Sequence, residues 1–228
     1  VTIEAALFDY SGTLFRLEAD ETWAEDLVAA DGRPFDAAES AEILHRMTVP
    51  SGEVVRFDER GRYAWERRDL DPLLHREAYL QVLGRSGVGP EQAARLYGRM
   101  VDPTSWTPYP DTGLVLKSLH AQGIPVAVVS NIPFDVRPAF AAHGWDRYVA
   151  VYALSFEVGA VKPDPRLFEW TVERLGVAAS AALMVGDSVE NDGAATRVGC
   201  RFAWVDPLPT DRRPVGLVSA LREHGLTV

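Results

Sequence analysis

Four short motifs carry residue types that could do chemistry together: Asp9-Tyr10-Ser11-Gly12-Thr13-Leu14, Ser130-Asn131, Lys162-Pro163-Asp164-Pro165 and Gly186-Asp187-Ser188-Val189-Glu190-Asn191-Asp192. They supply carboxylates, a hydroxyl and an ammonium group. Oxygen donors of this kind suit Mg²⁺. Such an ion, with one lysine, reverses the field of an acidic protein inside a cleft, so an anionic small molecule can bind there. Lysine occurs only at Lys117 and Lys162, which leaves two candidates for any lysine-dependent step. Taken singly, each motif has a plainer reading. Asp near Gly is usually a turn residue, Ser-Asn after a strand is usually a helix cap, Lys before Pro is usually a surface charge, and Gly-Asp is a common turn.

Context joins them. The apolar run Ala5-Ala6-Leu7-Phe8 ends at Asp9, with Gly12 beyond it. This predicts a buried strand that presents Asp9 at its carboxyl end. Similar apolar runs precede Ser130 and Asp187. From Thr112 onward the pattern alternates. Helices are expected over 112–122, 134–143, 165–175 and 192–198, and strands over 124–129, 148–154, 182–185 and 201–205. Such alternation predicts a mostly parallel sheet with helices on both faces, which binds ligands beyond the carboxyl ends of its strands. Asp9, Ser130 and Asp187 then converge on one edge. Before this region, residues near 21–31, 36–47, 71–86 and 90–101 show helical spacing, with starts at Asp71-Pro72 and Gly89-Pro90. Val49–Asp69, with Pro50, Gly52 and Gly61, reads as a loop or irregular hairpin. The proline-rich stretch Asp102–Gly113 reads as a linker between modules.

The whole chain sets bounds on function. Its 228 residues suit one large domain or a core with an inserted module. Hydrophobic residues at 47% are ample for a core. A net charge of −10 argues against nucleic acid or an anionic membrane as partner. Cys200 is the only cysteine, which excludes an intrachain disulfide and a cysteine-based zinc site; it reads as a small core residue. The first residues have no basic stretch before their apolar run, unlike a signal peptide, and no apolar run approaches the roughly 20 residues that span a bilayer. The expected location is the cytoplasm.

In kind, order and strand context, the four motifs resemble the signature motifs of the haloacid dehalogenase superfamily. The resemblance covers nearly the whole chain. It implies an α/β fold: a Rossmann-like parallel-sheet core from residues 1–15 and 110–228, with an inserted α-helical cap of the C1 type over 16–109. It implies Mg²⁺-dependent phosphoryl transfer, in which Asp9 attacks phosphorus and forms an aspartyl phosphate. Asp9, Asp187 and the backbone carbonyl of Ser11 would hold the metal. Asp192 would hold a metal-bound water or orient Lys162. Lys162 would neutralise Asp9 and the phosphoryl group, while the Ser130 hydroxyl and the Asn131 backbone would hydrogen-bond a phosphoryl oxygen. The implied partner is a small phosphorylated substrate.

One position departs from the family pattern. Its phosphatases usually carry a second Asp two residues after the nucleophile, as acid and base, and here that residue is Ser11. Losing such a group typically costs about 10²–10⁴ in rate. Three explanations stand: a substrate with a good leaving group, a proton from the cap (His45 and His75 are available by type, although a surface or packing role is the stronger reading for both), or a catalytically weak binding protein. Dehalogenation is a lesser alternative. Dehalogenases of the superfamily typically have Tyr where Ser11 stands, and lack the Gly186-Asp187 pattern. Relatives that form a cap Schiff base are excluded, because no lysine precedes Lys117. Arg56, Arg60, Arg62, Arg67 and Arg68 could read a second anionic group on the substrate. A solvated face shared with Glu59, Glu66 and Asp69 is the favoured reading.

Overall fold

Strand β1 (Ala5–Phe8) has no polar side chain and is buried along its whole length. A computed structural model describes it within residues 2–19, 21–25, 27–48 and 54–228. After β1 come a short β2 (Phe15–Arg16), the helices α1 (Glu21–Ala24), α2 (Ala37–Thr48), α3 (Glu59–Arg67), α4 (Pro72–Arg85) and α5 (Pro90–Val101), and β3 (Thr107–Pro108). The chain then alternates: α6 (Thr112–Ala121), β4 (Val126–Ser130), α7 (Arg137–Ala142), β5 (Val151–Leu154), α8 (Ser155–Val158), α9 (Pro165–Leu175), β6 (Ala182–Gly186), β7 (Arg201–Trp204) and α10 (Gly216–Glu223).

The main sheet has the order β5-β4-β1-β6-β7, and every pairing in it is parallel. The chain first builds outward from β1 on one side, then crosses to the other. The switch falls at β1, between β4 and β6, where such sheets open a crevice at their carboxyl ends. Alternation along β1 explains the two layers. Ala6 and Phe8 join a cluster with Leu116, Phe140 and Leu217, while Leu7 joins Ala127, Leu167 and Phe168 in another. A third cluster, including Leu17, Trp23, Ile43, Trp65, Leu83 and Met100, lies among the inserted helices. Trp106 packs against this cluster and against the first. The antiparallel pair β2–β3 joins the chain where it leaves the sheet and where it returns.

Several expectations need correction. Of the stretch Val49–Asp69, expected as a loop or irregular hairpin, 49–53 lie outside the described residues, while Glu59–Arg67 is helical and a 3₁₀ turn follows at Arg68–Leu70. Asp58 starts this helix as an N-cap, its carboxylate accepting from the Gly61 amide at 2.7 Å. Of the helix expected over 21–31, only Glu21–Ala24 forms; Asp26 lies outside the described residues, and Val28 and Ala29 bridge to Pro34 and Val88. Gly193–Val198 is 3₁₀ rather than α. The β2–β3 pair and α10 were not anticipated. Asp71 and Asp164 cap α4 and α9 ahead of a proline, as their sequences suggest. Among the described residues, no helix is long and apolar enough to cross a membrane.

Candidate active site

Asp9 follows β1 directly, and its amide donates to the Val185 carbonyl at 3.0 Å, which fixes it beside β6. Ser130 ends β4 and Asp187 follows β6, so three neighbouring strands deliver the three residues to one place. There they line a cavity of about 330 Å³ together with Ser11, Asn131, Lys162 and Asp192. All seven residues singled out in the sequence are therefore brought together.

Lys162 organises the floor. Its ammonium donates to Asp9 Oδ1 at 2.6 Å, to Asp192 Oδ1 at 2.7 Å and to the Val129 carbonyl at 2.9 Å. Asp9, Lys162 and Asp192 are all buried. Lys162 is itself positioned by Asn131, whose side-chain amide donates to the Lys162 carbonyl at 2.9 Å while its oxygen accepts from the Lys162 amide at 2.7 Å. The Asn131 side chain is thus a clip for the lysine, which leaves its backbone for a ligand. Asp192 accepts from Lys162 on one oxygen and from the Ser188 amide on the other, at 2.9 Å, a geometry that orients the lysine.

Three carboxylates face one ammonium here. Ligand oxygens of Asp9, Asp187 and Asp192 all lie within 4.8 Å of one another. Burial pushes the Asp9 carboxyl up to about 7; Lys162 opposes this, while Asp192 and Asp187 add to it. Burial and the Asp192 charge push Asp187 up to about 6. Burial disfavours the charged form of Lys162, but Asp192 and Asp9 outweigh it and hold the amine above its ordinary range. The site carries more negative charge than its lysine offsets. An all-oxygen donor set with that surplus fits a hard divalent cation such as Mg²⁺. A Cβ at Gly12, whose φ is +79°, would collide with the Asp187 carboxylate, so this close approach needs glycine.

The loop after β1 is held from a distance. Arg213 donates through Nη1 to the Gly12 carbonyl at 2.7 Å and through Nη2 to the Thr13 carbonyl, and its guanidinium stacks over Tyr109 at 3.2 Å. Thr112 donates to the Leu14 carbonyl at 2.8 Å. Nothing in the sequence near Arg213 signals this clamp.

The inserted helices form the roof. Arg56, Arg60, Arg62 and Arg67 are exposed, as expected of a solvated face. Arg68 and Asp69 are not part of that face: both line the cavity. The Arg68 guanidinium lies 3.9 Å from the Trp65 ring centroid. Of the two histidines, His45 is exposed on α2, whereas His75 is buried and lines the cavity. Burial, with Arg68 nearby, pushes His75 down to about 3. Its Nδ1 hydrogen-bonds the Tyr97 hydroxyl at 3.0 Å. A histidine kept neutral in this way is a poor proton donor. Cys200 is buried and its thiol is pushed up to about 11 by burial, which fits a packing role.

Comparison with known proteins places this site in context. Residues 3–199 match the family model described as haloacid dehalogenase-like hydrolase. A phosphoserine phosphatase of Thermus thermophilus is 32% identical over 152 residues, 64% of this chain and 61% of that protein, so the match spans less than two thirds of the relative. A phosphoglycolate phosphatase of Aliivibrio fischeri is 28% identical over 212 residues, 87% of this chain and 82% of that protein. The L-2-haloacid dehalogenase structure from Xanthobacter autotrophicus superposes with a TM-score of 0.66 at 24% identity, covering 96% of this chain and 83% of the other; that likeness is one of fold.

Proposed function

The chain belongs to the haloacid dehalogenase-like hydrolase family, and we propose that it hydrolyses a small phosphorylated metabolite through an aspartyl phosphate on Asp9. One observation carries the reading. A buried carboxylate at the end of the central strand shares its lysine with Asp192, in a cavity that Ser130 and Asp187 also line. Similarity to a phosphoserine phosphatase and a phosphoglycolate phosphatase supports this choice of reaction.

Mg²⁺, held by Asp9, Asp187 and the Ser11 carbonyl with Asp192 beside them, would supply the positive charge that lets two anions meet. The protein's own groups do the rest. Asp9 Oδ2 attacks phosphorus, because Oδ1 is engaged by Lys162. Lys162 neutralises charge on Asp9 and on the phosphoryl group. The Ser130 hydroxyl and the Asn131 backbone amide donate to phosphoryl oxygens, as fixed dipoles that need no reorganisation in the transition state. Residues 16–109 act as a cap over the core formed by 1–15 and 110–228, excluding water and selecting substrate. Arg68, the cap arginine that lines the cavity, suits a second anionic group on the substrate.

Ser11 favours a second reading, a phosphate-pocket protein that binds and scarcely turns over. Phosphate release separates the two. Wild type, Asp9→Asn and Ser11→Asp are assayed with Mg²⁺ on a panel of phosphate esters and acyl phosphates. Turnover by wild type that vanishes in Asp9→Asn is the expected result. A silent wild type beside an active Ser11→Asp supports the binding protein, and silence in both removes the support for hydrolysis.

A further inference from the structure

The acid missing at Ser11 has a counterpart on the opposite wall of the cavity. Asp69 lies in the 3₁₀ turn Arg68–Leu70 of the roof and faces the same cavity as Asp9 and Ser11. Its backbone is anchored to the floor. The Ser155 hydroxyl donates to the Asp69 carbonyl, and the Ser155 Oγ accepts from the Ile132 amide at 2.9 Å, immediately after Ser130-Asn131. The roof turn is thereby tied to the loop proposed to hold the phosphoryl oxygens. The Asp69 side chain keeps 25% exposure, and its nearest cationic atom on Arg68 is 3.9 Å away, too far for a tight ion pair. Arg68 donates to the Trp65 carbonyl at 2.6 Å and stacks on that ring, which holds its guanidinium off Asp69.

The other titratable groups of the roof do not suit the task. His75 is held neutral, as described above. Burial pushes the Tyr79 hydroxyl far above its ordinary range. Burial also raises the Asp69 carboxyl, against the opposing pull of Arg68 and Lys162, which favours a group able to hold a proton and release it.

Resting on the hydrolase reading above, we propose that Asp69 is the general acid and base of this site, performing from the roof the role that Ser11 cannot perform from the floor. In the first step, the bond between Asp9 Oδ2 and phosphorus forms as the bond from phosphorus to the leaving oxygen breaks. Asp69 gives its proton to that oxygen, and an alcohol departs. In the second step, water attacks phosphorus and passes a proton to the Asp69 carboxylate. The bond between phosphorus and Asp9 breaks, inorganic phosphate leaves, and both carboxyl groups return to their starting states. Anchoring by Ser155 gives the acid a fixed position only when the roof is seated on the core.

The test compares wild type, Asp9→Asn, Asp69→Asn and the double variant Asp69→Asn with Ser11→Asp. Two probes are used with Mg²⁺: para-nitrophenyl phosphate, whose leaving group needs no proton, and the fastest of phosphoserine, phosphoglycolate and glycerol phosphate. Asp69→Asn keeps the backbone carbonyl that receives Ser155. It is expected to lower kcat on the alkyl phosphate by roughly 10²–10⁴. The first turnover of para-nitrophenyl phosphate should keep its rate and then stall. Adding Ser11→Asp should restore alkyl turnover, which repair of a purely structural defect would not do. An equal loss of first-turnover rate on both probes, or no loss on either, overturns the proposal. Should Asp69→Asn fail to fold by circular dichroism, Asp69→Ser takes its place with the same expected and opposing results. If wild type shows no Asp9-dependent turnover, the hydrolase reading falls and this proposal falls with it; active wild type with an unchanged ratio of first-turnover rates between the probes in Asp69→Asn defeats Asp69 alone.

Discussion

His75 shows how burial in the roof suppresses a charge. Packed against Tyr79 at 4.6 Å between ring centroids and near Arg68, it stays neutral down to about pH 3 in the folded protein. In the unfolded chain it takes a proton near its ordinary value of 6.5. Its folded value is depressed, so the folded state lacks a proton that the unfolded state binds. The stability it contributes is therefore present above pH 6.5 and lost as pH falls toward 3. Relative to His75→Asn, which does not titrate, wild type should lose about 2 kcal/mol between pH 7 and pH 5, at about 1.4 kcal/mol per unit below 6.5. Urea unfolding of both proteins at the two pH values measures this, and parallel behaviour would refute it. At the same scale, Asp9, Ser130, Lys162 and Asp187 were readable in the sequence because each sits at a strand end or ahead of a helix start marked by its neighbours. Arg68 and Asp69 were not. Their surroundings are set by Ser155, 86 residues from Asp69, and by a ring, Trp65, whose burial no local pattern revealed.

At the level of elements, the sheet was readable and its fastenings were not. Apolar runs and helix periodicity foretell β1, β4, β6 and β7 because local rules govern them. The clamp on the loop after β1 depends on Arg213, 201 residues from Gly12, and periodicity has nothing to say about such a contact. Arg213 is buried, and desolvation pulls its guanidinium down from its ordinary value. Charged donors to backbone carbonyls are worth about 1.5–3 kcal/mol each, and removing them leaves the carbonyls of Gly12 and Thr13 without that partner. Arg213→Met should cost about 3 kcal/mol, lowering the melting temperature by roughly 6–12 °C for a chain of this size. It should also reduce kcat, because Asp9 rides on the loosened loop. Calorimetry and phosphate release check both halves. A melting temperature within 2 °C or so of wild type would show that the clamp is dispensable.

Across the whole molecule, the apolar cluster among the inserted helices touches the sheet's first cluster through Trp106, and the Arg68–Leu70 turn reaches the sheet through the hydroxyl of Ser155. Removing that hydroxyl takes away the bond to the Asp69 carbonyl and the one from the Ile132 amide, each worth about 0.5–1.5 kcal/mol net. Ser155→Ala should consequently melt roughly 2–12 °C lower, at about 2–4 °C per kcal/mol, and lose roughly tenfold in kcat/KM as the roof turn loses its registry. Hydrogen exchange should quicken at Arg68–Leu70 and leave β1 unchanged; unaltered protection at the turn would mean that packing alone seats it. The same long reach bears on how the molecule is made. β1 is synthesised before its partners, which begin at Val126 and Ala182, and the loop beyond it waits for Arg213. The central strand therefore leaves the ribosome well before its last partner does. A nascent chain that stops short of Arg213 carries Asp9 on an unfastened loop, so the pocket comes into being only once Arg213 is in place rather than growing with the sheet.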